Sequence, residues 1–311
     1  MKDQIPLVAV VGPTASGKTV LGIKLAHHFD GEIVSADSMQ IYKGMDIATA
    51  KPTEGEKEGI PHHLIDFLDP SESFSVADYV KLARRVIEDI HSRGKLPILV
   101  GGTGLYVNSL IDNIEFQPEP ENLKVREELA KQAEQLGNET MLEILRSIDP
   151  ETASRVHPNN IRRIIRALEV YKTTGITMSE YQRLSRQKPS PYNVCMIGIG
   201  FRDRKVLYDR INRRVDLMVE NGLIEEAKKV LDSPISTVAG QAIGYKELKP
   251  YLMGEIPLSE AIENLKRETR RYAKRQLTWF RRDKRINWIY ADQTQDLTRC
   301  AIDIITKAYS S

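Results

Sequence analysis

Gly12-Pro13-Thr14-Ala15-Ser16-Gly17-Lys18-Thr19 has the G-x-x-x-x-G-K-[ST] spacing of a phosphate-binding loop. Its glycines let several backbone N–H groups converge on one anion, and the N-terminus of a following helix adds partial positive charge. Lys18 supplies a point charge for terminal phosphates, and Thr19 a hydroxyl suited to Mg²⁺. Asp37 follows, in Asp37-Ser38-Met39-Gln40. A carboxylate there could hold Mg²⁺, accept a proton from an incoming nucleophile, or simply cap a turn. Gly101-Gly102-Thr103-Gly104 offers the Thr103 hydroxyl among residues that permit close backbone approach. The apolar run before it ends without the acidic residue that an ATP-hydrolysing P-loop protein usually carries there. The loop by itself specifies a phosphate-bearing ligand and Mg²⁺, and leaves open whether that ligand is a nucleotide.

Basic side chains cluster in three places. Residues 266–285 hold ten Lys/Arg against two acidic residues. Arg267, Arg271, Lys274, Arg281 and Arg285 fall along one side at helical spacing, either as a solvated face or as a surface for nucleic-acid phosphates. Tyr272, Gln276, Trp279 and Phe280 fall elsewhere, toward a core. Arg155, His157, Arg162, Arg163 and Arg166 form the second cluster, in which Arg162 and Arg166 share a helix face. Salt bridging within the helix is the plainer explanation there. Arg213 and Arg214 form the third, placed either to reach transferring phosphates or to stay exposed. The six histidines show no metal-site spacing.

These groups need elements to position them. Apolar runs at 7–11, 32–36, 96–100, 194–200 and 287–290 read as strands covered on both faces. Helical periodicity spans 18–29, 76–93, 204–221 and 258–285, the second opened by a capping box at Ser75 and Asp78. This alternation predicts an α/β fold, a P-loop NTPase-like parallel sheet with helices on both faces. Ligands of such sheets bind beyond the carboxyl ends of the strands, so Asp37 should share a rim with the P-loop. Residues 117–191 break the rhythm. They show no strand pattern, and helical patterns run over 123–136, 139–148 and 160–174, the last closed by Gly175. Pro-rich segments flank them, Pro118–Lys124 at the entry. The expected organisation is a catalytic core of 1–116 and 192–311 with an all-helical insertion domain at 117–191. The alternative is that these helices merely cover the sheet.

The 311 residues are 41% hydrophobic and 28% charged, enough for one large domain or two smaller ones. A net charge of +2 argues against a global polyelectrolyte role. Cys195 and Cys300 read as small core residues. No apolar run is long enough for a membrane helix, and the N-terminus lacks a signal-peptide pattern, so a cytoplasmic protein with no membrane partner is expected.

Taken together, GPTASGKT, SADSMQIYKGMDIATAKP, HHLIDFLDP, ILVGGTGLY, IRRIIRALEVYKTTG, QAIGYKEL and AKRQLTWFRR resemble the bacterial tRNA dimethylallyltransferases, also called tRNA isopentenyltransferases. The resemblance spans residues 6 to about 290, in order. It implies that the P-loop holds dimethylallyl diphosphate rather than ATP. The prenyl group would pass to N6 of the adenosine just 3′ of the anticodon in tRNA, with release of diphosphate. The target base would be flipped out, and the insertion would grip the anticodon stem-loop.

The resemblance also implies roles. Asp37 would act as general base on the adenine amino group, with Thr103 near the reacting centre. Gly12, Pro13, Thr14, Ala15, Ser16, Gly17, Lys18, Thr19 and Arg214 would bind diphosphate, with Mg²⁺ at Thr19. Ser38, Met39 and Gln40 would contact the flipped nucleotide. Gln241, Gly244, Lys246, Asn160, Arg162, Arg163, Lys274 and Arg281 would contact RNA. This chain has Asn160-Ile161-Arg162 where some relatives carry Asp-Pro-Gln. A monomer is expected. The rival readings are a P-loop small-molecule or nucleotide kinase and a non-catalytic RNA-binding protein switched by ATP.

Overall fold

Six short strands form one parallel sheet, and the segments between them are mostly helices. The structure is a computed structural model that describes residues 4–116 and 123–310. The strands are β1 (Ile5–Val11), β2 (Gly31–Ser35), β3 (His62–His63), β4 (Leu96–Gly101), β5 (Tyr192–Gly200) and β6 (Ile286–Tyr290). Their order is β3-β2-β4-β1-β5-β6, with every pairing parallel. Leu7 to Val11 and all of β2 are buried, as strands covered on both faces must be. The sequence predicts five strands, and the described residues form six. The additional one, β3, has two residues and no readable pattern of its own.

The helices longer than one turn are α1 (Lys18–Phe29), α2 (Val76–Ser92), α3 (Gly104–Ile111), α4 (Leu123–Leu136), α5 (Asn138–Ile148), α6 (Ile161–Thr174), α7 (Met178–Leu184), α8 (Arg204–Glu220), α9 (Leu223–Leu231), α10 (Tyr245–Leu252), α11 (Leu258–Phe280) and α12 (Leu297–Tyr309). The Ser75–Asp78 capping box forms with both of its bonds, at 3.2 and 3.0 Å. Gly175 closes α6 in the left-handed conformation, φ 74°. The helix expected over 258–285 stops at Phe280. Asp283 ends it, because its Oδ1 accepts the Arg285 N–H at 3.0 Å and supplies a local alternative to the helical bond.

One core packs Val8, Val10, Ile33, Ile98 and Ile197 against Leu21, Leu25 and Ile305. Burying each such aliphatic side chain contributes roughly 1.5–3 kcal/mol. Cys195 lies in this core, and Cys300 packs against it. A second core joins Tyr42 and Met45 to Val215, Leu223, Tyr245 and Leu265.

The chain divides into two compact units. One comprises the chain up to Ile111 and from Pro191 onward; the other is Asp112–Ser190. The Pro118–Lys124 segment lies largely outside the described residues. Among its described residues the second unit has no strand, and it carries its own core of Leu129, Met141, Leu142, Leu145, Ile164 and Leu168. Buried Asp149 ties it together, accepting from Thr152 N–H at 3.0 Å and Ser179 N–H at 2.9 Å.

Strand order positions the chemistry. The P-loop follows β1, Asp37 follows β2, and Gly101–Thr103 lies at the end of β4, which runs between those two strands. The connection from β1 to β2 passes over β4, and such switch points open a crevice at the strand ends. On the other side of β1, β5 leads into α8 and its arginines.

Candidate active site

The P-loop and Asp37 line one cavity of about 270 Å³. Thr14, Lys18 and Thr19 form one wall, and Asp37, Ser38, Met39 and Gln40 another. Arg214 enters from α8, and Gln241, Gly244 and Lys246 enter from the approach to α10 and its first turn. Ile33, Val100, Ile211, Val215, Met218 and Leu265 supply an apolar lining between the polar groups. Such a cavity suits an anion attached to a short hydrocarbon better than a fully polar ligand.

Lys18 Nζ donates to Pro13 O at 2.7 Å. Burial and, less strongly, Arg214 bring its pKa down to about 8, against the opposite pull of Asp37. Burial also lowers the Arg214 pKa, against the attraction of Asp37. Lys18, Arg214, Lys246 and Arg275 therefore share the cavity lining with one carboxylate, Asp37, so cations outnumber counter-charge there. Ser16 Oγ, in the same loop, is buried and has no hydrogen-bond partner among the described residues. An anion supplies what the cations and this hydroxyl lack.

Asp37 also caps its turn. Its Oδ1 accepts from Met39 N–H at 2.9 Å and, more weakly, from Gln40 N–H at 3.4 Å. Cap and cavity wall are compatible, because a carboxylate has two oxygens. Thr103 is one step removed from the cavity. Its Oγ1 accepts the Ser38 N–H at 3.0 Å and holds the loop that carries Asp37. The Gln40 amide is engaged too, donating to Thr49 O and Ala50 O, each at 3.1 Å. A Cβ built on Gly101 would stand 2.2 Å from Ala36 O, so no carboxylate side chain fits there.

Lys274 and Arg281 are exposed near the end of α11, and Lys274 shares one groove with Arg271, Arg275 and Arg282. Arg285, expected on that face, is paired with Asp283 at 2.6 Å. In the second unit, Asn160, Arg162 and Arg163 are exposed, whereas Arg166 and Arg126 both pair with buried Glu169. Arg155 pairs with Glu151 at 2.7 Å.

Three site residues were missed in the sequence. Arg210 Nε donates to Ala15 O at 2.9 Å, steadying a residue held at φ 61°. Arg210, Arg213 and Arg214 flank the P-loop together at i, i+3, i+4, a spacing that was available as a signal. Gln276 bonds to Thr14, and Glu226 accepts the N–H groups of Asp46, Ile47 and Ala48 at 2.7–2.9 Å. Nothing local marks either residue.

An anion cradle facing a strand-end carboxylate across an apolar lining marks a P-loop group-transfer site whose donor joins a phosphate group to a short hydrocarbon. The family described as "IPP transferase" matches residues 40–283, and the chain belongs to that family. A protein of Thermoanaerobacter sp. (strain X514) named tRNA dimethylallyltransferase is 51% identical over 304 residues, covering 97% of this chain and 96% of the relative. The crystal structure of a full-length tRNA isopentenylpyrophosphate transferase from Bacillus halodurans aligns with a TM-score of 0.72 at 50% identity, covering 98% of this chain and 96% of that one. A eukaryotic dimethylallyltransferase, described as acting on tRNA, aligns with a TM-score of 0.80 at 30% identity, covering 96% of this chain and 78% of that one.

Proposed function

We infer that this chain is a tRNA dimethylallyltransferase. It transfers the prenyl group of dimethylallyl diphosphate to N6 of the adenosine 3′ of the anticodon and releases diphosphate. The observation that carries this reading is the single cavity in which Lys18, Thr19 and Arg214 face Asp37 across an apolar lining.

The steps follow from those groups. Lys18, Arg214 and the P-loop N–H groups neutralise the diphosphate as the allylic C–O bond breaks. The apolar lining receives the five-carbon chain and keeps water from the developing cation. The N6 lone pair forms the new C–N bond, and Asp37 takes the N6 proton as it does so. Thr19 would hold Mg²⁺ through its hydroxyl, since that ion prefers one or two protein ligands beside phosphates. When bound, it would offset the negative charge of the leaving diphosphate. Thr103 keeps the Asp37 loop in register through Ser38. Gln241, Gly244 and Lys246 line the cavity as contacts for the flipped nucleotide's strand. Asn160, Arg162, Arg163, Lys274 and Arg281 are exposed cations or polar groups for the RNA backbone, with the second unit taking the anticodon stem-loop. A cytoplasmic location follows from the tRNA substrate.

The kinase alternative lacks the acid expected at the end of β4, since Gly101 has no room for one. Asp37→Ala separates catalysis from binding. It should lower the transfer rate at least about a hundredfold, as loss of a general base does. Filter-binding affinity for tRNA should stay close to wild type. Turnover at the wild-type rate would remove Asp37 from the chemistry.

A further inference from the structure

Gln276 lies on α11 and is 5% exposed. Its Oε1 accepts the Thr14 N–H at 2.8 Å, and its Nε2 donates to Gly102 O at 3.0 Å. These partners fix the orientation of the amide, because an N–H needs the oxygen and a carbonyl needs the nitrogen. The space for it is reserved: a Cβ on Gly102 would come 2.2 Å from Nε2.

The Thr14 N–H belongs to the Pro13–Thr14 peptide unit. The carbonyl of that same unit accepts from Lys18 Nζ at 2.7 Å. One planar group therefore carries Gln276 on its N–H side and the P-loop ammonium on its C=O side. At its far end Gln276 is tied to Gly102, whose neighbour Thr103 holds Ser38 beside Asp37. One buried amide thus links the diphosphate side of the cavity to the proton-accepting side.

We propose that Gln276 is a positioning residue for the prenyl transfer. It fixes the Pro13–Thr14 peptide plane, and through it the Lys18 ammonium, relative to the Asp37 loop. The proposal rests on the prenyl-transfer reading of the cavity. A packing contact would be satisfied by any side chain of similar size; a positioning amide would not.

Two variants separate these cases. Gln276→Met keeps the length and leaves Thr14 N–H and Gly102 O unpaired. It should lower kcat/KM for dimethylallyl diphosphate roughly 10- to 100-fold, with KM for tRNA within about twofold of wild type. Gln276→Glu still accepts from Thr14 but can donate to Gly102 O only when protonated. Its activity should gain an ionisation that the wild type lacks, falling as pH rises and the carboxyl loses its proton. Thermal unfolding midpoints check folding, and if the Met variant does not fold, the Glu pH profile decides. Wild-type constants in a folded variant, a rise in KM for tRNA as large as the loss in kcat/KM for dimethylallyl diphosphate, or a Glu profile parallel to wild type would each overturn the proposal. Absence of transfer by the wild-type protein would instead remove the prenyl-transfer reading.

Discussion

Lys18 is the residue whose environment has the most direct consequence for binding. Burial and the neighbouring Arg214 bring its pKa down to about 8. A diphosphate entering the cavity opposes both effects and restores the charge, so binding above pH 8 takes up a proton. KM for dimethylallyl diphosphate should therefore be flat below pH 8 and rise above it, by at most about tenfold per pH unit for one proton. Steady-state kinetics between pH 6.5 and pH 9.5, chosen as about 1.5 units either side of that value, would show this; a flat KM across the range would mean Lys18 stays charged without ligand. At this scale the motif residues were legible, because the P-loop spacing and a strand-end Asp each have a physical reason to occur where they do. Gln276 was not, and Arg210 was marked only by its i, i+3, i+4 spacing with Arg213 and Arg214. The contacts of Arg210 and Gln276 to the loop span 195 and 262 positions of sequence, so neither partner is visible locally.

The elements came through where the pattern is long, as in β1, β4, α1 and α2. They failed where it is short or contradicted. The two residues of β3 carry no periodicity, and the basic run after Phe280 keeps helical composition while Asp283 diverts the backbone. The β3 edge has a function in stability nonetheless. Glu32 on β2 is buried and accepts from Arg93 Nη2 at 2.8 Å and meets His63 of β3 at 2.7 Å. The Arg93 bond is the main reason its pKa is held at about 2, with His63 helping against the cost of burial. A carboxylate pKa lowered by folding stabilises fully above its unfolded value, here 4.5, and that contribution disappears as pH falls toward 2. Glu32→Gln should thus lower unfolding free energy by about 1–3 kcal/mol at pH 7 and much less near pH 3, read from urea midpoints. An equal deficit at both pH values would show that the ion pair is not the source.

At the scale of the whole molecule, the decisive feature is the sheet order, which sequence alternation implies only as a class. Parallel strands were readable from their continuous apolar runs, but nothing local states that β4 runs between β1 and β2. That order brings a lysine loop, a carboxylate loop and a glycine turn to one rim, and places α8 so that Arg214 completes the charge. It also explains why GPTASGKT, which alone is compatible with ATP, here belongs to an alkyl transferase: β4 ends in Gly101, against Ala36, with no space for an acid. The most direct test is mass spectrometry of tRNA nucleosides after incubating the purified protein and Mg²⁺ with unmodified tRNA, in parallel with dimethylallyl diphosphate and with ATP. The account predicts one prenyl group on an adenosine, only with the allylic diphosphate, and release of diphosphate. Phosphoryl transfer from ATP without prenylation would contradict it.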